Sequence, residues 1–311
     1  MRDAFVKTLI KLAQYDKNIE LLTGDLGFGV LKPYWTQLPN QFTNVGIAEQ
    51  NMLSIAAGLA MEGKKVVVYS IGNLPTFRAL EQIRNDCAYH NADVKIVSVG
   101  GGFVYGALGM SHHATEDIAI MRSLPNVCVV CPADKQEAIA AVQTMMQSKG
   151  VFYLRLGRGG EEVVHNDVPQ LAPGKAIQIS AQDITSCQVV ILSTGAIMDE
   201  VNAAAELLAK DGIAVALYSV PFVKPLDIML VEKCAQYCPN IVTVEEHNII
   251  GGLGSAVAEV LAGVGGNSKL LRIGIEDHYC SAVGDQKYLR MLNGIDALNI
   301  ADKVRRMVRK D

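Results

Sequence analysis

Charge is scarce in this sequence: Asp, Glu, Lys and Arg fill 19% of 311 positions, while half of all residues are hydrophobic. Disorder needs the opposite balance, so it is excluded, and a length of this order predicts two packed domains. The 28 basic residues are outnumbered by 32 acidic ones and form no stripe, which argues against a nucleic-acid partner. Long apolar runs are missing as well. None approaches the ~18 residues of a membrane span, and Met1-Arg2-Asp3-Ala4 lacks the charged-then-apolar order of a secretory signal. We expect a soluble, cytoplasmic chain with no membrane partner.

A spaced cysteine framework is also lacking. Cys128 and Cys131 have CxxC spacing but lie in Val127-Cys128-Val129-Val130-Cys131, which reads as a buried strand. Side chains alternate between the faces of a strand, so residues three apart do not converge on one ion. Cys234 and Cys238 share a possible helix face without a second ligand pair. The run His112, His113, Glu116, Asp117 has ligand types but no recognised ligand spacing. No metal site is expected on this chain, and the thiols suit a reducing compartment.

What is present is alternation. Short β-branched runs at 20–23, 65–70, 94–99, 127–131 and 151–156 are separated by helical patterns at 48–61, 76–90, 115–123 and 135–148, after a first helix at 3–15. Strand–helix–strand order implies parallel pairing, because a parallel connection needs a long crossover. Glycines, charges and prolines then mark a linker at 161–186, with a short edge strand at 175–179. A second alternating unit follows, with strands at 189–193, 214–218, 241–244 and 269–273 and helices at 198–210, 227–234, 253–261 and 297–309. The expected fold is α/β: two consecutive three-layer domains with mostly parallel sheets, at 1–160 and 187–311. The helix at 48–61 is apolar nearly all round, so it is expected to pack against another protein surface as well as its own sheet.

Gly46-Ile47-Ala48-Glu49-Gln50-Asn51-Met52 places a carboxylate at the entry to that helix, where free N–H groups favour an anion. Taken alone this is an ordinary first-turn acid. Followed by Ser54-Ile55-Ala56-Ala57-Gly58, it resembles the pyrimidine-binding domain of transketolases. The resemblance continues in order through Arg78-Ala79-Leu80-Glu81-Gln82-Ile83-Arg84, then Ser111-His112-His113-Ala114-Thr115-Glu116-Asp117, Arg122-Ser123-Leu124-Pro125 and Cys131-Pro132-Ala133-Asp134. Phe222-Val223-Lys224-Pro225-Leu226-Asp227, Glu245-Glu246-His247-Asn248 and Gly251-Gly252-Leu253-Gly254 are similar to the family's C-terminal domain.

The resemblance implies thiamine diphosphate as cofactor and transfer of a two-carbon ketol unit from a ketose, expected to be phosphorylated, to an aldehyde. It casts Glu49 as the carboxyl that bonds the aminopyrimidine ring nitrogen and His112 as a donor contact near the reacting carbons. Gly46, Ile47, Tyr69 and Phe77 are then cofactor neighbours, the last two because Gly72 and Pro75 stand where the family places aromatics. Arg2 and Arg155 match arginines that hold the sugar phosphate, and Arg158 is a further arginine on the same loop. Leu108, Gly100 and Gly29 replace a hydroxyl-reading aspartate, a histidine and a phosphate-contacting serine, which implies a donor or acceptor outside the standard pentose-phosphate pair.

Complete transketolases anchor the diphosphate through Mg²⁺ with a Gly-Asp-Gly signature. No such tripeptide occurs here, Gly24-Asp25-Leu26 and Gly284-Asp285-Gln286 being the nearest strings. The resemblance therefore implies half of a split enzyme. A partner subunit would carry the N-terminal half and the Mg²⁺ ligands, in an α₂β₂ heterotetramer. Three alternatives share parts of the pattern: a 2-oxo acid dehydrogenase β subunit, a deoxyxylulose-phosphate-synthase-like subunit, and a non-catalytic scaffold.

Overall fold

The computed structural model describes residues 1–309; the last two positions of the predicted second domain lie outside the described residues. Among the described residues, twelve strands follow in chain order: β1 (Ile19–Thr23), β2 (Phe42–Asn44), β3 (Lys65–Ile71), β4 (Val94–Val99), β5 (Val127–Val130), β6 (Val151–Leu156), β7 (Ile177–Gln178), β8 (Val189–Thr194), β9 (Val215–Ser219), β10 (Phe222–Lys224), β11 (Asn240–Asn248) and β12 (Lys269–Ile275). They form a seven-stranded sheet, β10-β5-β6-β4-β3-β1-β2, and a five-stranded sheet, β12-β11-β8-β9-β7. Each sheet is parallel except for one antiparallel edge, β10 on β5 in the first and β7 on β9 in the second.

Strand parity sorts the side chains of the first sheet. Val66 and Val68 join Met52, Leu53 and Ala56 of the helix Glu49–Met61 in one core, whereas Val67 and Tyr69 join Phe5, Leu9 and Leu31 in another. Fully burying one such aliphatic or aromatic side chain contributes about 1.5–3 kcal/mol. The helices Arg2–Tyr15, Phe28–Gln37 and Lys135–Gln147 cover the second of these faces. In the second sheet, Met198–Lys210 and Ala297–Val308 cover one face and Ile228–Tyr237 and Leu253–Val264 the other. The core under the latter pair is continuous with that of the first sheet.

Two departures from the sequence reading matter for the site. The segment expected as one helix at 76–90 is instead wound loosely, with wide turns at Leu74–Arg78 and Ile83–Ala88 around the short helix Leu80–Gln82. Such turns displace side chains relative to a regular helix. Strand β10 crosses from the second half to complete the first sheet, so the two halves are interlocked. On this chain the helix Glu49–Met61 buries one face, and Gln50, Ser54, Gly58 and Met61 leave its other face open. Among the described residues, no helix is long and apolar enough to cross a membrane.

Candidate active site

Parallel strands end together, and their following loops gather at one edge, where open α/β sheets bind ligands. Here β1, β2, β3, β4 and β6 end at Thr23, Asn44, Ile71, Val99 and Leu156. The loops beyond them hold most of the expected site residues.

Glu49 opens its helix and is buried, with 2% of its surface exposed. The turn before it is fixed by Asn44, whose Oδ1 accepts from Asp25 N at 2.9 Å and Gly46 N at 3.0 Å. Gly46 has φ +78°, a conformation glycine adopts without strain. Arg78 Nη1 donates to Glu49 Oε2 at 2.8 Å. Among the described residues Arg78 is the one side chain that bonds this carboxylate, and that side chain is itself half exposed. Ile47, 78% exposed, and Phe77, 38% exposed, stand on the two segments that meet at this ion pair. A buried carboxylate with an oxygen to spare, beside exposed apolar side chains, fits the edge and face of a planar nitrogen heterocycle.

Arg78 was visible only as part of a motif, because no local spacing ties it to an acid 29 positions earlier. Tyr69, expected beside the cofactor, is a correction: its ring is buried and stacked on Phe5 at 6.0 Å, beneath the first helix. Strand parity places it there, two residues after Val67 on the same face.

His112 ends a short turn, Met110–His112, in the loop after β4. It is half buried, and its Nδ1 lies 3.1 Å from Ser111 Oγ. Asn73 Nδ2 donates to Ser111 O, which ties the His112 turn to the Phe77–Arg78 turn. His113 instead packs edge-on against Phe103 at 5.0 Å, and burial lowers its pKa.

Arg155 is the second correction. It is 6% exposed and engaged through two of its three nitrogens: Nε donates to Asp117 Oδ2 at 2.8 Å, and Nη2 to Ala114 O at 2.7 Å and Glu246 O at 3.0 Å. It fastens the His112 loop to the second sheet and has no fork to offer a phosphate. Arg158, three residues on, is exposed, with its guanidinium 5.8 Å from the Tyr105 ring centroid. Arg2 opens the first helix, half buried, bonded to Asp3 Oδ1 at 3.2 Å. Glu161 draws their segments together, accepting from the Met1 amino group at 3.0 Å and Gly159 N at 2.8 Å.

The Gly100-Gly101-Gly102 run is a set of close approaches. A Cβ at 100 would overlap the Tyr105 ring, one at 101 would stand 2.6 Å from the Arg155 guanidinium, and one at 102 would stand 2.6 Å from the Glu246 carboxylate. Glu246 accepts from Phe103 N at 2.7 Å and from Arg290 Nε at 2.8 Å, so the second domain clamps the loop that carries His112. Glu245 accepts from Leu253 N and Gly254 N at 2.7 and 2.8 Å. The Gly-Gly-Leu-Gly helix start is thus filled by the chain's own carboxylate. Among the described residues no group of three or more His, Cys, Asp or Glu side chains is arranged to hold a metal.

Two family models match this chain. Residues 1–160 match the transketolase pyrimidine-binding domain and residues 180–300 the transketolase C-terminal domain. The chain therefore belongs to the transketolase family. It is 37% identical to a putative transketolase C-terminal section of Methanocaldococcus jannaschii, over all of this chain and 97% of that one. It is 36% identical to an apulose-4-phosphate transketolase subunit of Phocaeicola vulgatus, over 84% of this chain and 83% of that one. A solved structure described as a split gene transketolase, inactive beta4 tetramer, superposes with a TM-score of 0.90 at 33% identity, covering 99% of this chain and 98% of that one.

Proposed function

We propose that this chain is the C-terminal-half subunit of a two-subunit transketolase, which moves a two-carbon ketol unit from a phosphorylated ketose to an aldehyde. The observation that carries the reading is Glu49: a buried carboxylate at the ligand-binding edge of a parallel sheet, open on one oxygen and flanked by exposed apolar side chains. Thiamine diphosphate, when bound, supplies the carbon nucleophile and electron sink for carbon–carbon cleavage. Glu49 holds a proton at the ring nitrogen of the aminopyrimidine, Gly46 and Ile47 line that edge, and Phe77 packs on the ring. Arg78 orients the carboxylate. His112 contacts the donor near its reacting carbons, and Arg2 with Arg158 holds the phosphate. Tyr105 fills the space in which a side chain at 100 would stand, so its phenol takes over reading of the donor there. Exchanging one hydrogen-bonding group for another changes which hydroxyl pattern is accepted.

The pyrimidine-binding unit spans residues 1–160 and the C-terminal unit 187–311, joined by 161–186. The partner supplies the diphosphate site and the Mg²⁺ ligands in an α₂β₂ heterotetramer. Two observations support a partner: the open face of the helix Glu49–Met61, and the relative whose tetramer is described as inactive. Seven free thiols fit work in the reducing cytoplasm.

The test is calorimetric titration of thiamine diphosphate with Mg²⁺ into this chain, alone and mixed with an N-terminal-half subunit, followed by turnover with a ketose donor and with pyruvate. We expect tight binding in the mixture only, and turnover of the ketose. Glu49→Gln in the mixture should lower turnover by about 10²–10⁴-fold, the usual contribution of a positioned proton-transfer group. Unchanged turnover in that variant would remove Glu49 from the mechanism, and pyruvate as the preferred donor would favour the deoxyxylulose-phosphate-synthase-like or 2-oxo acid dehydrogenase reading.

A further inference from the structure

Cys187 and Cys238 face each other across two neighbouring strands of the second sheet. Cys187 lies three residues before Val190 and Cys238 three before Ile241, and Val190 and Ile241 are cross-strand partners. Both thiols are buried, and their sulfurs stand 3.3 Å apart, with Cys187 donating to Cys238. The segments are held in this register by Asn240 Nδ2, which donates to Gln188 O at 2.9 Å. Cys238 is also one of the residues that line an open cleft of about 790 Å³, with Glu232, Tyr237, Asn267 and Ser268, so a small molecule can approach this end of the sheet although the thiol itself is buried. None of these residues belongs to the site described above.

We propose that Cys187 and Cys238 are an oxidation site that closes to a disulfide when the protein meets a peroxide. Only small side-chain rotations are needed to bring sulfurs at this separation to bonding distance. Cys238 is the attacking sulfur. The Cys187 hydrogen bond lowers its pKa against the effect of burial, while Cys187 is shifted the other way by the same bond. The Cys238 thiolate attacks one peroxide oxygen; an S–O bond forms, the O–O bond breaks, and hydroxide leaves and takes up the proton that Cys238 released. Cys187 sulfur then attacks the sulfenic sulfur; the S–S bond forms, the S–O bond breaks, and the departing hydroxyl takes the Cys187 proton. Two thiols have lost two electrons, and hydrogen peroxide has become two waters.

The bridge would span 51 positions and pin the entry to the second sheet onto the end of the helix Ile228–Tyr237. It lies at the starts of β8 and β11. The other ends of these strands face the first domain, through Gly195 N donating to Cys131 O and Asn248 N donating to Thr115 O. Oxidation should therefore raise stability and leave turnover of the reconstituted enzyme unchanged.

The experiment treats the reduced full chain with a few equivalents of hydrogen peroxide, blocks remaining thiols with iodoacetamide after denaturation, and maps the peptides by mass spectrometry. Half-exposed Cys280 serves as an internal gauge of exposure to the oxidant. The expected product is a Cys187–Cys238 cross-linked peptide, two hydrogens lighter than its parts. A melting temperature raised by roughly 5 °C should accompany it and be reversed by dithiothreitol. In Cys187→Ser, dimedone should label Cys238 and no cross-link should form, whereas Cys234→Ser should behave like the parent. Oxidation of Cys280 with both Cys187 and Cys238 still open to iodoacetamide overturns the proposal, as does a bridge from Cys238 to Cys234.

Discussion

Arg155 and Arg158 are separated by two residues, yet one is wrapped in acceptors and the other stands in solvent beside an aromatic ring. Removing a buried, paired charge leaves its partner uncompensated, which costs about 3–5 kcal/mol. Removing an exposed one changes stability by roughly 0.5 kcal/mol or less. A charged hydrogen bond to substrate is worth about 1.5–3 kcal/mol, or roughly 10–100-fold in affinity. Arg155→Ala should thus melt well below the parent, through the orphaned Asp117 carboxylate. Arg158→Ala should melt like the parent but raise KM for a phosphorylated donor by roughly tenfold or more, with little effect on a donor lacking the phosphate. Thermal melts and initial rates on both donors check this. An Arg155→Ala enzyme with normal stability and lost phosphate preference would restore the assignment made from sequence. That assignment failed for a physical reason: the ion pair that consumes Arg155 lies 38 positions away, and no local pattern announces it.

Elements with strong periodicity were legible: every strand but β2 and β10, and most of the regular helices, follow from β-branched runs and 3.6-residue spacing. The structure adds β2, three residues long, and the helix Phe28–Gln37, where an internal Pro33 argues against helix in any local reading. It adds β10, whose place is set by pairing with β5 from the other half of the chain. The linker shows the same lesson at finer grain. Asp134 caps the helix Lys135–Gln147 through Oδ1, and its Oδ2 accepts from Val164 N and His165 N at 2.9 Å and faces His165 Nδ1 at 3.1 Å. His165 Nε2 stands 3.4 Å from Glu137 Oε1. Burial opposes charge on His165, but the Asp134 hydrogen bond and both carboxylates outweigh it, so its pKa is raised. Burial pushes Glu137 up to about 7, and the hydrogen bonds to Asp134 outweigh burial and hold it down at about 2. A histidine with a raised folded pKa contributes fully below its ordinary value of 6.5 and loses that contribution as pH rises through the folded value. The melting-temperature gap between the parent and His165→Ala should therefore be widest below pH 6.5, roughly 2–4 °C for ~1 kcal/mol, and should narrow as the pH is raised above it. A gap that stays constant over this range would show that the imidazole packs there without its charge.

Across the whole molecule, the two sheets are joined by more than a linker. Glu246 reaches from β11 to Phe103 N, Arg155 reaches from β6 to Glu246 O, Arg122 Nε donates to Gly251 O at 3.1 Å, and β10 completes the first sheet. One apolar cluster runs beneath both sheets. The His112 loop is gripped between them, so the geometry of the candidate active site depends on the second domain even though its expected ligands lie in the first. Interfaces this extensively paired couple the unfolding of their halves, whereas loosely joined domains melt separately. The chain should therefore give a single calorimetric transition whose van't Hoff and calorimetric enthalpies agree. Arg290 donates to Glu246 at 2.8 Å and to Asp199 at 2.9 Å, and Arg290→Met should weaken the clamp from the second-domain side while leaving both sheets intact. In that variant the transition should broaden or split, and the reconstituted enzyme should lose turnover although Glu49, His112 and Arg158 are all in place. Two separate transitions in the parent chain would show that the halves fold independently, and the second domain would then have no part in setting the position of His112.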